Sequence, residues 1–174
     1  MNAPSVLLNA LQTGLLHPLT VPAHAVALIG LGLMMAQQSR RRTSILAFAV
    51  GLIAGLAALV FAVGETQAYD VLLAAAAIAG LAAAIGWPVP DFIAAPLALV
   101  IGASIGLDSP PKSVSIMGAN AMLIGTAVGA IVMVWLVAAI AARFRRGWLR
   151  IGVRVLGSWV AASAILVIAL RAAR

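Results

Sequence analysis

An all-α, polytopic membrane protein, built as a six-transmembrane-helix bundle behind a short N-terminal interfacial helix, is the fold this sequence predicts. Three observations predict it. The 174-residue chain is 64% hydrophobic and only 9% charged, where a soluble domain carries about 25% charged residues. Apolar runs of the roughly 17–25 residues needed to cross a hydrocarbon core fill nearly its whole length. Its basic residues gather in the short links between those runs, where membrane topology requires them. The chain reads as one integral membrane domain, 1–174, with no repeat of fixed period.

Residues 1–16 come first. Ser5 is placed to cap a helix with Leu7, Leu8, Leu11 and Leu15 on one side and Asn9, Gln12 and Thr13 on the other. Such a segment is too short to span and suits the membrane interface. It lacks a basic n-region, so it is not read as a cleaved signal peptide. The first span covers about 21–38 and ends at SRRRTS; the second covers 45–64 and ends at ETQAYD. The third covers 71–87 and stops at PVPD, and the fourth covers 92–107 and stops at DSPPKSVS. Both are short, and Pro96 is placed to kink the fourth. The fifth covers 117–142 and runs into the basic RFRRGWLR; the sixth covers 151–170.

Orientation follows from the basic residues. Arg40, Arg41, Arg42, Arg143, Arg145, Arg146, Arg150 and Arg154 flank two links that lie on one side of a six-span chain, while Lys112, Arg171 and Arg174 lie on the other. The positive-inside rule makes the first side cytoplasmic and puts both termini outside. The outer face then collects both histidines of the chain, His17 and His24, and three of its four carboxylates, Glu65, Asp70 and Asp108; Asp91 lies inside.

Imidazole and carboxylate suit divalent transition metals such as nickel or zinc. Thr20 is placed to cap the first span, with Pro22 in its opening turn, so that His24 falls in the first turn. Pro18 and Pro22 interrupt any single helix through both histidines and allow the lead-in segment to fold back, bringing His17 toward His24. The pair reads equally as two interfacial residues satisfied by headgroups, water or backbone carbonyls. Asp70 and Asp108 read as a helix cap and a loop start, or, with Glu65, as weaker candidate metal donors. No charge lies at the centre of any span; the polar groups at depth include Ser104, Asn120 and Thr126. That argues against a proton-coupled pump, since intramembrane charges mark proton relays.

Gly51 and Gly55, Gly102 and Gly106, and Gly125 and Gly129 form small-xxx-small pairs, and AAAAIAGLAAA lines the third span. Such faces pack helices tightly, within one chain or against a membrane-protein partner or second copy. With no cysteine, disulfides and thiolate metal sites are ruled out. No phosphate loop or Ser-His-Asp arrangement points to an enzyme. The basic links lack the interleaved aromatics of a nucleic-acid surface, and anionic lipid of the bilayer is the partner they fit.

The stretch GLLHPLTVPAHAVALIGLGLMMA resembles the opening of the HupE/UreJ family, small six-span membrane proteins associated with nickel supply to hydrogenase and urease. The family's first motif is a His, five residues, then Asp-His. His17 and His24 match the two histidines and Pro18 the usual proline, while Ala23 stands at the Asp position. The second, His- and Glu-bearing motif has no counterpart, because no histidine follows residue 24. The resemblance implies a multi-pass protein of a bacterial-type inner membrane, acting as a permease or metal-handling accessory protein for nickel or another divalent ion. The reading from a different class is a non-transporting membrane subunit or accessory protein packed into a larger complex.

The arginine asymmetry makes a topological prediction. Reporter domains fused at SRRRTS and at RFRRGWLR should both report the cytoplasm, and a reporter active only outside the cytoplasm at either position would reverse every depth assigned above.

Overall fold

The computed structural model describes residues 3–38, 41–60, 65–111, 115–144 and 147–173. Every regular element among them is an α-helix: α1 (Ala3–Thr20), α2 (Pro22–Ala36), α3 (Arg41–Val60), α4 (Glu65–Ile85), α5 (Asp91–Leu107), α6 (Ile116–Arg143) and α7 (Leu149–Ala172). Helices α2 to α7 fall on the predicted spans with shifted ends. Helix α4 starts at Glu65, so Asp70 lies inside it rather than capping it. The polar ETQAY stretch lies outside the apolar run and yet is helical, as the opening of α4. Helix α6 opens on a true cap, the Ser115 hydroxyl accepting from the Gly118 N–H at 3.1 Å.

The lead-in differs most from expectation. Helix α1 has 18 residues and continues through Pro18 to Thr20, beyond the expected interfacial segment. The break falls at Val21, which is extended (φ −97°, ψ 109°), as a residue before proline prefers. Pro22 then opens α2, where its missing N–H leaves no helical bond unmade. Thr20, expected to cap α2, donates its hydroxyl to His17 O at 2.9 Å instead, and no side chain caps α2. Across this break the helix axis turns by 73°.

Helices α3, α4, α6 and α7 are each long and apolar enough to cross a membrane, and α1 with α2 qualifies as one bent span. Helix α2 alone has 15 residues and α5 has 17. At about 1.5 Å per residue they reach only about 22 and 25 Å, short of a ~30 Å core. By length and composition the described helices therefore support four or five crossings rather than six.

Helix α2 sits at the centre, with Leu28, Leu31, Met35 and Ala36 fully buried. It packs on α4, α6 and α7 and touches α1, α3 and α5. Around it three helix pairs approach backbone to backbone through glycine. In α3 and α5, Gly51 and Gly55 lie against the carbonyl oxygens of Leu99 and Ala103. A Cβ on Gly106 would stand 2.6 Å from Leu56 N and 2.7 Å from Leu52 O. The residue numbers rise together, so α3 and α5 are parallel. In α4 and α7 the contact is antiparallel: a Cβ on Gly80 would come 2.7 Å from Ala161 N, and one on Gly157 2.7 Å from Ala84 N. In α1 and α6, Gly14 meets the Met122 backbone while Gly125 and Gly129 meet the carbonyls of Leu11 and Leu15. All three sequence pairs of glycines are thus used within the chain.

A side chain inserted into such a crossing must push two backbones apart. Gly125→Leu should cost on the order of 1–3 kcal/mol or prevent assembly. Gly152→Ala is the control, since nothing lies within 4 Å of its Cβ position and alanine favours helix over glycine. Thermal unfolding in mild detergent should fall for the first and hold or rise for the second.

Candidate functional site

The helix directions sort the polar residues into two ends. Gly30 of α2 faces Ala76 and Gly80 of α4, and Gln37 bonds Ala83 O, so α2 and α4 run parallel. Their N-termini share an end with the C-termini of α5 and α7. At that end stand His17, His24, Asp70 and Asp108, as the sequence grouped them. The Glu65 side chain lies outside the described residues.

The 73° bend brings the two histidines together. His17 occupies the last turn of α1 and His24 the first turn of α2. Their ring centroids are 5.5 Å apart, and the rings meet edge to face at 76°. His24 is fully buried and its Nε2 lies 2.9 Å from Asp108 Oδ2, whose side chain is 26% exposed. A carboxylate only accepts, so Nε2 carries the proton in this pair. Nδ1 of His24 is then the atom left for a further contact; it is buried, with no hydrogen-bond partner among the described residues. Asp108 is placed for this by its position as C-cap of α5, where the chain leaves the helix. Next to it, buried Ser109 turns its hydroxyl back onto Ile105 O at 2.6 Å.

Asp70 is engaged elsewhere. Its Oδ1 accepts from Arg171 Nε at 2.8 Å, and the Arg171 guanidinium lies 4.7 Å over the Tyr69 ring. This pair joins the start of α4 to the end of α7 and is about half exposed on both sides, a setting in which ion pairs contribute little. Among the described residues no three His, Asp or Glu side chains gather closely enough to hold a metal ion. The polar groups expected at depth are not brought together either. Asn120 is exposed, Ser104 is buried on α5, and Thr126 is buried on α6 with its hydroxyl on Met122 O at 3.0 Å.

The opposite end holds a polar cluster that the sequence reading passed over. Gln37 Nε2 donates to Ala83 O at 2.8 Å, Arg154 Nε donates to Ala84 O at 2.7 Å, and the Ser44 hydroxyl donates to Gln38 Oε1 at 2.9 Å. The signal was the pair of glutamines closing an otherwise apolar run, since an amide buried at a helix end needs a partner.

Compared with protein-family models, curated proteins and solved structures, the chain matches none. Its class is therefore defined by its own architecture: an all-helical protein with several helices apolar enough to lie in a membrane, carrying a buried histidine–aspartate pair at a bent helix junction.

Removing one partner of that pair strands the other. His24→Ala should cost about 1–3 kcal/mol, the usual penalty of an unsatisfied buried group or lost charged hydrogen bond. Asp108→Asn should cost less, since an amide oxygen still accepts from Nε2. In a double-mutant cycle with Asp108→Ala the two losses should be non-additive; strictly additive melting shifts would show that the contact carries no energy.

Proposed function

We propose that this chain is a multi-pass membrane protein of a bacterial-type inner membrane that handles a divalent transition-metal ion as cargo, at the end that carries His17, His24 and Asp108. The observation that carries the reading is the approach of the two imidazoles across the 73° bend, with a carboxylate seated on one of them. Metal-binding histidines commonly donate their second ring N–H to a carboxylate, which fixes the tautomer and strengthens the ligand nitrogen. Asp108 stands in that relation to His24, and it supplies from α5 the carboxylate that the HupE/UreJ motif carries where this chain has Ala23. Nickel is the ion this resemblance implies, and zinc the one most able to compete.

The donor set suits a passing ion better than a resident one. This end offers two imidazoles, one of them already seated on a carboxylate, whereas a structural zinc site closes with four protein ligands. Water or a further donor completes the shell, so binding is weak and reversible. Protons compete for the same nitrogens, and acidification weakens it.

The reading as a non-transporting subunit or accessory protein rests on a different observation. The buried hydroxyls Ser104 and Thr126 sit on separate helices, and Thr126 is closed on its own backbone, so they trace no polar route through the bundle. On that reading the His24–Asp108 contact is a tie between α2 and α5.

Calorimetry of the purified protein with nickel and zinc at pH 7.5 separates the two. The transport reading expects measurable binding that falls at least tenfold in the double variant His17→Ala, His24→Ala while helical content is retained. Absence of binding by the wild-type protein leaves the pair a structural tie.

A further inference from the structure

At the end opposite the histidines, a cavity of about 260 Å³ opens between the ends of α2, α4 and α6 and the start of α7. Gln37, Gly86, Phe144, Arg150 and Arg154 line it, and among the described residues no acidic one does. We propose that this cavity is a binding site for a phosphate group, the headgroup phosphate of an anionic phospholipid or a soluble phosphate. It lies apart from the metal reading and stands without it.

The walls of the site are fixed from the backbone outward. Helix α4 ends on Gly86 at φ +75°, a left-handed turn that leaves its last carbonyls open. Gln37 takes one of them, Ala83 O, and Arg154 takes the next, Ala84 O. Both side chains are thereby held at the cavity wall before any ligand arrives. Arg150 lies one turn before Arg154 on α7, so the two point to the same side. At the position a Gly86 Cβ would occupy, Arg154 Nε is 3.4 Å away and Arg150 Nη2 3.8 Å away. Two guanidinium groups therefore converge over one glycine, which leaves the space between them clear.

No acidic side chain among the described residues lines this convergence. Arg150 stands in the first turn of α7, where the helix dipole is itself positive and disfavours a cation. The acid of this end, Asp91 in the first turn of α5, is not among the lining residues. Guanidinium forks match phosphate oxygens in geometry as well as charge. Trp87 and Trp148 stand exposed beside the lining segments, a position aromatic residues favour at the headgroup level of a bilayer. Phosphate recognition between helix ends at this level follows the pattern of basic lipid-headgroup pockets.

The test uses the full chain in mild detergent, with thermal unfolding as the readout and Arg150→Gln as the variant, because Arg150 is exposed and its loss spares the Arg154–Ala84 bond. Mixed micelles of phosphatidylglycerol should raise the wild-type melting temperature by several degrees beyond those of phosphatidylcholine. Arg150→Gln should lose most of that difference and Arg150→Lys should keep part of it. A parallel arm adds millimolar inorganic phosphate. An Arg150-dependent rise there assigns the cavity to a soluble phosphate, and none alongside a lipid effect assigns it to the headgroup. The proposal is overturned if neither phosphate source stabilises the wild type, or if Arg150→Gln responds as the wild type does.

Discussion

The close approach of helix backbones through glycine is the constraint on which this structure depends. In an apolar medium, helices gain nothing from hiding hydrophobic side chains from one another, so contact must come from packing and from weak Cα–H···O contacts. Gly51, Gly55, Gly102 and Gly106 seat α3 on α5, Gly80 and Gly157 seat α4 on α7, and Gly14, Gly125 and Gly129 seat α1 on α6. Three tight pairs result, and the space among them is filled by α2. The position of every polar group follows, because each pair fixes which helix ends share a side.

Much of this was legible in the residues. The apolar runs located α2 to α7, and the small-xxx-small spacings marked the crossings that α3, α5 and α6 use. Which glycines oppose which was not legible, since a spacing of four marks a face and not its partner. Gly14 was missed for a related reason: a single glycine in an amphipathic segment carries no repeat, and its role appears only when α6 is laid against it. The limits of α4 were misplaced because polarity was read as a helix end, although Glu65 to Tyr69 are compatible with helix and merely lie beyond the apolar stretch.

The histidine pair was legible in outline. The prolines point to a break between the imidazoles, but Pro18 is absorbed near the end of α1 and the bend occurs at Val21, ahead of Pro22 alone. The carboxylate partner was one of three that the sequence left open. Asp108 is selected because α5 ends beside the start of α2, while Asp70 is drawn to Arg171 by the antiparallel pairing of α4 with α7. Long-range choices of this kind depend on topology, which local pattern does not carry.

The placement of α2 has a consequence for the order in which the molecule is made. It precedes in sequence most of the helices that enclose it, and the carboxylate that meets His24 lies 84 residues further along the chain. During synthesis α2 must wait, short and with a polar ring near its start, until α4 to α7 have emerged from the ribosome. Its bent connection to α1 gives it a companion in the meantime. The packing around α2 therefore closes only once α7 is made, and a polypeptide arrested before Asp108 would hold the central helix without the partner that fixes its end.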